Sequence, residues 1–349
     1  MSRLKIACAT VNQTPLDWKG NLRNISNAIT EAREKKVELL CFPELTITGY
    51  GSEDLFLSYW FPQKAVKQLQ EIIPLCKDIT VAVGVPVRIQ QNVYNCMAII
   101  EDAKLKAFVA KQFMAVDGVH YEFRWFTPWV ANQIISFDFF GEAIPLGDII
   151  FEKNEVHYGF EICEDAWRGD VRPGFRLRDR KVDIIFNPSA SHFAMGKSLQ
   201  RETLVKNSST LLDVTYFYVN LLGNEAGKMI FDGEILVAQA GNLLLKNKLL
   251  SFSDLQILTF DYDKDKENYP TIKSVHHKNQ EFVQAASLGL FDYLRKSRSN
   301  GFVLSLSGER DLACIFCRTR SSFSQLSFLP IAFSIFSVYD FTSSPISQL

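Results

Sequence analysis

A layered α/β fold, with helices packed on a sheet, is predicted by two features of this sequence. Short apolar runs alternate with amphipathic helical stretches in the order β, α, β, α, β, and several of those runs stop at an ionisable residue. A third observation sets the scale, because 349 residues of which 47% are hydrophobic suffice for one large α/β domain and a fragment of a second.

Residues 4–11, with Leu4, Ile6, Ala7, Cys8, Ala9 and Val11, read as a first strand buried on both faces that opens the sheet. After Pro15, residues 21–36 place Leu22, Ile25, Ala28, Ile29 and Ala32 at helical spacing with charges opposite, so a helix covers that strand. Residues 39–42 form a second strand that ends at Pro43-Glu44-Leu45. Residues 65–75 read as a helix and 79–85 as a third buried strand. Two further strands, 94–101 and 105–110, flank Asp102-Ala103-Lys104 as a hairpin, and Lys111 stands at the end of the second. The aromatic stretch 112–133 is too long for a plain connector and is expected to be functional.

Val156 to Phe160 is a short buried strand, and the acids around Cys163 mark a sharp turn off its end. Residues 182–186 form another strand leading into Asn187-Pro188-Ser189-Ala190-Ser191-His192. A helix at 196–212 and a strand at 214–221 follow. The pieces 234–238, 242–245 and 255–262 read as short strands completing a second run of sheet. Polar residues 263–278, with Pro270 inside, are a linker and place a domain boundary near 263–277, and 281–295 is an amphipathic helix beyond it.

Composition excludes some partners. With 38 basic against 39 acidic residues and a net charge of -1, the chain offers no global attraction for nucleic acid or an anionic membrane. Seven scattered cysteines behind a start without a signal-like apolar segment imply reduced thiols and a cytoplasmic setting. Cys314 and Cys317 form a bare CxxC with no second pair. His276 and His277 are adjacent in the polar linker, so no metal is expected.

Three residues occupy one topological position, the end of a buried strand: Glu44, Lys111 and Cys163. Ligands of open α/β proteins bind at that edge. A carboxylate can take a thiol proton, an ammonium can stabilise an oxyanion and lower the thiol pKa, and a thiolate can attack an acyl carbon. The backbone N–H groups of Glu164 and Asp165 are expected to face that oxyanion. Taken singly, each residue keeps a structural alternative: Glu44 as a helix-entry charge, Lys111 as a solvated strand end, Cys163 as inert core.

The blocks Phe42-Pro43-Glu44-Leu45, Lys111 with its aromatic loop, and Gly159-Phe160-Glu161-Ile162-Cys163-Glu164-Asp165 resemble the three signatures of the nitrilase, or carbon-nitrogen hydrolase, superfamily. More narrowly, 161–167, 187–191 and Phe231-Asp232-Gly233 resemble the glutaminase domains of the glutamine-dependent NAD synthetase family. The resemblance runs from about residue 4 to 260. It implies a four-layer αββα sandwich that self-associates and frees ammonia from glutamine for a separate synthetase domain. By resemblance Cys163 is the nucleophile, Glu44 the general base, Lys111 the oxyanion-stabilising cation and Glu122 an additional loop carboxylate, which could instead be a surface partner of Arg124. Tyr50, Trp167, Ser189, Ser191 and Lys197 are the implied pocket residues, with Ser191 and Lys197 foremost for the amino-acid end of the substrate. The glutaminase half needs no cofactor.

ATP and magnesium belong to a complete synthetase domain, whose start here is degenerate. In the Ser307-Gly308-Glu309-Arg310-Asp311-Leu312 loop a carboxylate stands where the family's Ser-Gly-Gly-x-Asp-Ser pattern has its second glycine. That carboxylate crowds and repels a phosphate. The expected division is a hydrolase domain at 1–262, a linker at 263–278, a truncated synthetase start at 279–317 and a tail of unrelated composition at 318–349. An interruption of the reading frame near Gly308 would account for that tail. Alternatives are a free-standing amidase or nitrilase on another small amide, and a non-catalytic oligomerising remnant.

Overall fold

The computed structural model describes residues 2–266 and 268–302. The CxxC, the degenerate loop and the tail lie outside the described residues. Strands β1 (Arg3–Val11), β2 (Leu39–Cys41), β3 (Thr80–Ile89), β4 (Asn92–Glu101), β5 (Lys104–Ala110), β6 (Ile134–Phe139) and β7 (Glu142–Gly147) build a first sheet. A second sheet contains β8 (Phe151–Lys153), β9 (Val156–Phe160), β10 (Ile184–Ser189) and β11 (Thr215–Asn220). After the ribbon of β12 (Leu222–Glu225) and β13 (Met229–Asp232), that sheet gains β14 (Ile235–Gln239) and β15 (Asn242–Lys246). The helices are α1 (Trp18–Glu34), α2 (Trp60–Ile72), the single turn α3 (Glu122–Trp125), α4 (Pro173–Asp179), α5 (Lys197–Leu211) and α6 (Lys278–Lys296).

The strand β16 (Leu255–Asp263) does not complete the second sheet as its sequence neighbours suggest. It returns to the first sheet and runs antiparallel along β1 from Arg3↔Asp263 to Val11↔Leu255. The first sheet therefore reads β16-β1-β2-β3-β4-β5-β7-β6, and β1 is interior to it. The β6–β7 hairpin escapes sequence reading because exposed residues interrupt its buried and half-buried ones, without the apolar run that marks the other strands.

Period-two alternation divides each strand between two cores. On β1, Leu4, Ile6 and Cys8 face the second sheet, where they meet Phe160, Phe186 and Phe217. Ala7, Ala9 and Val11 face the other way, onto Ile25, Ala28 and Ile29 of α1. The second sheet repeats the pattern: Ile184 and Phe186 of β10 point inward, while Ile185 packs with Leu177 and Val205 of α4 and α5. Each fully buried phenylalanine contributes about 2–3 kcal/mol of transfer free energy. Three cores between four layers, α1/α2, sheet, sheet and α4/α5, are the αββα sandwich. After residue 277, α6 packs Ala285 and Leu288 against Leu222 and Leu250.

Candidate active site

Strands β2 and β5 of one sheet and β9 of the other end at a common edge, and the loops leaving them form the site. Glu44 sits in a turn laid directly over β3, where Gly84 permits the approach: a Cβ there would lie 2.2 Å from Leu45 N and 2.6 Å from Pro43 O. Its carboxylate is wholly buried. Oε1 accepts from Lys111 Nζ at 2.6 Å and Asn95 Nδ2 at 2.6 Å, and Oε2 accepts from the Ala190 N–H at 2.9 Å. Lys111, equally buried, also reaches Glu122 Oε1 at 2.9 Å and Oε2 at 2.8 Å. Glu122 is fixed by the Ala115 N–H at 2.8 Å and the Tyr50 hydroxyl at 2.9 Å. Arg124 turns away and bonds Asp54 instead. Two carboxylates thus share one ammonium, a group costly to bury except in such company.

Cys163 has φ +50°, a left-handed conformation that costs a non-glycine residue about 1–3 kcal/mol and persists only where its surroundings enforce it. Here Asp165 and Asn187 do so. Asp165 Oδ2 accepts from the Ile162 N–H at 2.9 Å, and Oδ1 accepts from the Gln112 and Phe113 N–H groups at 3.1 and 2.7 Å. Asn187 Nδ2 donates to the carbonyls of Glu161 at 2.5 Å and Cys163 at 3.3 Å. Asp165 therefore ties the cysteine turn to the backbone just beyond Lys111. The Asp165 N–H, expected to face an oxyanion, is donated to Ile162 O at 3.1 Å. The N–H beside the site is that of Ala190, which bonds Glu44 Oε2 and pulls the Cys163 thiol pKa down.

Burial raises the Cys163 thiol pKa, the Glu44 carboxylate raises it further, and Lys111 only partly opposes them. The lowering expected of Lys111 is present, but burial and Glu44 outweigh it and the net shift is upward. Burial also raises Glu44, against the pull of Lys111. For Lys111 burial works against the charge, but Glu122 and Glu44 outweigh it and hold the ammonium protonated well beyond its usual range. Such a thiol needs an adjacent base at the moment of attack.

The remaining expected residues scatter more widely. Tyr50 is buried against Glu122 and His120. Ser191 is nearly buried, with its Oγ 3.1 Å from Arg201 Nη2, and Lys197 is half-buried with Nζ 3.3 Å from His192 Nδ1. The Ser189 hydroxyl is turned inward, donating to Asn187 Oδ1 at 3.1 Å, and Trp167 lies largely exposed at the end of the cysteine turn. Sequence reading missed Asn95, the Ala190 N–H, His120, His192 and Arg201, a fully buried guanidinium paired with Asp232 and Glu234. Arg201 follows Lys197 by one helical turn, a spacing that could have drawn attention to it.

The likeness to known proteins agrees with this geometry. A crystal structure of a glutamine-dependent NAD(+) synthetase from Cytophaga hutchinsonii is 46% identical and superposes with a TM-score of 0.83 over 93% of this chain and 53% of that one. The glutamine-dependent NAD(+) synthetase of Bos taurus is 27% identical over 93% of this chain and 53% of its own length. An amidase from Nesterenkonia sp., 18% identical with a TM-score of 0.62 over 75% of this chain and 91% of that one, shares the fold. The chain thus spans about half the length of the curated relatives it matches. The carbon-nitrogen hydrolase family model matches residues 5–213, more than half of the sequence, and the chain belongs to the carbon-nitrogen hydrolase family.

Proposed function

We propose that this chain hydrolyses the side-chain carboxamide of glutamine at Cys163 and supplies the ammonia for NAD synthesis by a synthetase domain of the kind its relatives are named for. One observation carries the reading: a nucleophilic residue held in a left-handed turn lies within the electrostatic reach of a buried carboxylate, which itself grips a buried ammonium. Structural ion pairs do not require a strained thiol beside them.

In the proposed reaction the Cys163 proton passes to Glu44 as sulfur attacks the amide carbon. The Lys111 ammonium opposes the charge that develops on the carbonyl oxygen. Glu44 then delivers its proton to the nitrogen, the C–N bond breaks and ammonia leaves a thioester. Glu44 next takes a proton from water as it attacks; the C–S bond breaks and the proton returns to sulfur. Ser191 and Lys197 are the proposed holders of the amino-acid end, with Tyr50, Trp167 and Ser189 completing the pocket wall.

Mass spectrometry after incubation with a diazoketone analogue of glutamine tests the proposal. The wild-type chain is expected to gain one adduct at Cys163 and to release ammonia from glutamine faster than from short aliphatic amides, and Cys163→Ala is expected to do neither. An unlabelled Cys163 with no ammonia release would overturn it, and a preference for aliphatic amides would reassign the substrate.

A further inference from the structure

A line of hydrogen bonds that the reaction above does not use leaves the buried carboxylates and runs to the surface. Lys111 Nζ touches both Glu44 and Glu122. From Glu122 Oε1 the line continues to the Tyr50 hydroxyl at 2.9 Å, from there to His120 Nδ1 at 2.8 Å, and from His120 Nε2 to His192 Nδ1 at 2.8 Å. Tyr50 and His120 are buried and His192 is half-buried, so the line starts among buried groups and ends at a ring that reaches solvent. Tyr50, His120 and His192 can each both give and receive a hydrogen.

We propose that Tyr50, His120 and His192 form a proton relay that carries to solvent the one proton amide hydrolysis leaves in the site. The proposal rests on the amidase reading of Cys163. Hydrolysis of an amide to a carboxylate and neutral ammonia consumes one water and leaves one proton. In the reaction above that proton stays on the product carboxyl group, which hands it to Glu44 and leaves as a carboxylate; Glu44 must then be ionised again before the next thiol is attacked, and its neighbours are buried. Lys111 passes the proton by giving one of its own to Glu122 and taking that of Glu44. With Glu122 protonated, its O–H donates to Tyr50, Tyr50 donates to His120 Nδ1, and His120 Nε2–H donates to His192 Nδ1. One concerted shift leaves Glu122 ionised, reverses every hydrogen bond in the line and makes His192 an imidazolium, which releases its Nε2 proton.

The charges around the rings favour release. Lys197 Nζ lies 3.3 and 3.4 Å from the two nitrogens of His192, and Arg201 donates to the His192 carbonyl at 2.9 Å. Burial, then Lys197 and the neighbouring ring, hold His192 at about 4, and burial also lowers His120 against the pull of Asp117 and Glu122. Asp117 Oδ1 is 3.9 Å from His120 Nε2 at the outer end. Both rings rest neutral near pH 7, as a relay between an acid and water requires.

Labelling by the diazoketone returns the thiol proton to the reagent carbon and leaves none behind, so it separates the two readings. His192→Ala is expected to label at Cys163 at the wild-type rate while kcat for ammonia release falls about 100-fold with KM little changed. The solvent deuterium isotope effect on kcat should rise, and added imidazole should restore turnover where pyrrole, of the same shape without a basic nitrogen, does not. His120→Phe should show the same split without rescue. Unchanged kcat in both variants, a loss confined to KM, or equal rescue by pyrrole overturns the relay; failure of the wild-type chain to label or turn over overturns the amidase reading instead.

Discussion

At the scale of single residues, the site stands on Glu44 serving three donors at once. Glu44→Gln keeps the shape and one acceptor oxygen but turns an NH2 toward either the Ala190 N–H or the Asn95 and Lys111 donors. Without a base for the thiol, kcat is expected to fall by a factor of about 10²–10⁴, read by ammonia release, with labelling of Cys163 slowed in parallel. Asp165→Asn replaces one acceptor by a donor facing backbone N–H groups, which costs about 1–3 kcal/mol. A lowered midpoint in urea unfolding together with slower labelling is the expected outcome; unaltered labelling would remove Asp165 from the support of the cysteine turn. Glu44, Lys111 and Cys163 were legible in the sequence because each is a reactive group terminating an apolar run. Asn95 was not, since a single polar residue inside a strand carries no periodic signal, and Ala190 contributes only a backbone N–H.

At the scale of elements, α6 shows how a helix readable from its spacing can dock in an unreadable way. Its Asp292 is fully buried and accepts from Asn12 Nδ2 at 2.9 Å, the Asn224 N–H at 2.7 Å and Arg295 Nε at 2.7 Å. One turn on, Lys296 Nζ donates to the carbonyls of Gln13 and Asn224, both at 2.7 Å. Asp292→Ala leaves these partners facing a void and is expected to cost about 3 kcal/mol, measured by urea unfolding of the full chain. A change below about 0.5 kcal/mol, the range of ordinary surface substitutions, would show that α6 docks by its apolar contacts alone. The 3.6-residue period locates the helix; a carboxylate on its inner face contradicts that period and becomes intelligible only beside Asn12 and Asn224.

For the molecule as a whole, stability should carry the mark of a buried acid between the hydrolase core and α6. Burial raises Glu225 from 4.5 to about 7 against the pull of Lys296. Its Oε2 accepts from the Gly51 N–H at 2.7 Å, while Oε1 has no partner among the described residues. Between pH 4.5 and about 7 the unfolded chain has lost this proton and the folded chain keeps it, so stability falls as pH rises through that window. Glu225→Gln is expected to flatten this part of the curve in thermal melts and to raise the melting temperature above pH 7; an unchanged slope would mean that Glu225 ionises alike in both states. What the sequence by itself determined was local: strands by period two, helices by period 3.6, and reactive residues where strands stop, because a side chain's alternation depends only on its own backbone. The tertiary structure alone decided that β16 returns to lie beside β1, that strand ends from both sheets meet over one thiol, and that the Tyr50, His120 and His192 side chains align from Glu122 to solvent. Those outcomes depend on partners tens to hundreds of positions away along the chain, and only the packing of two sheets face to face brings them within reach of one another.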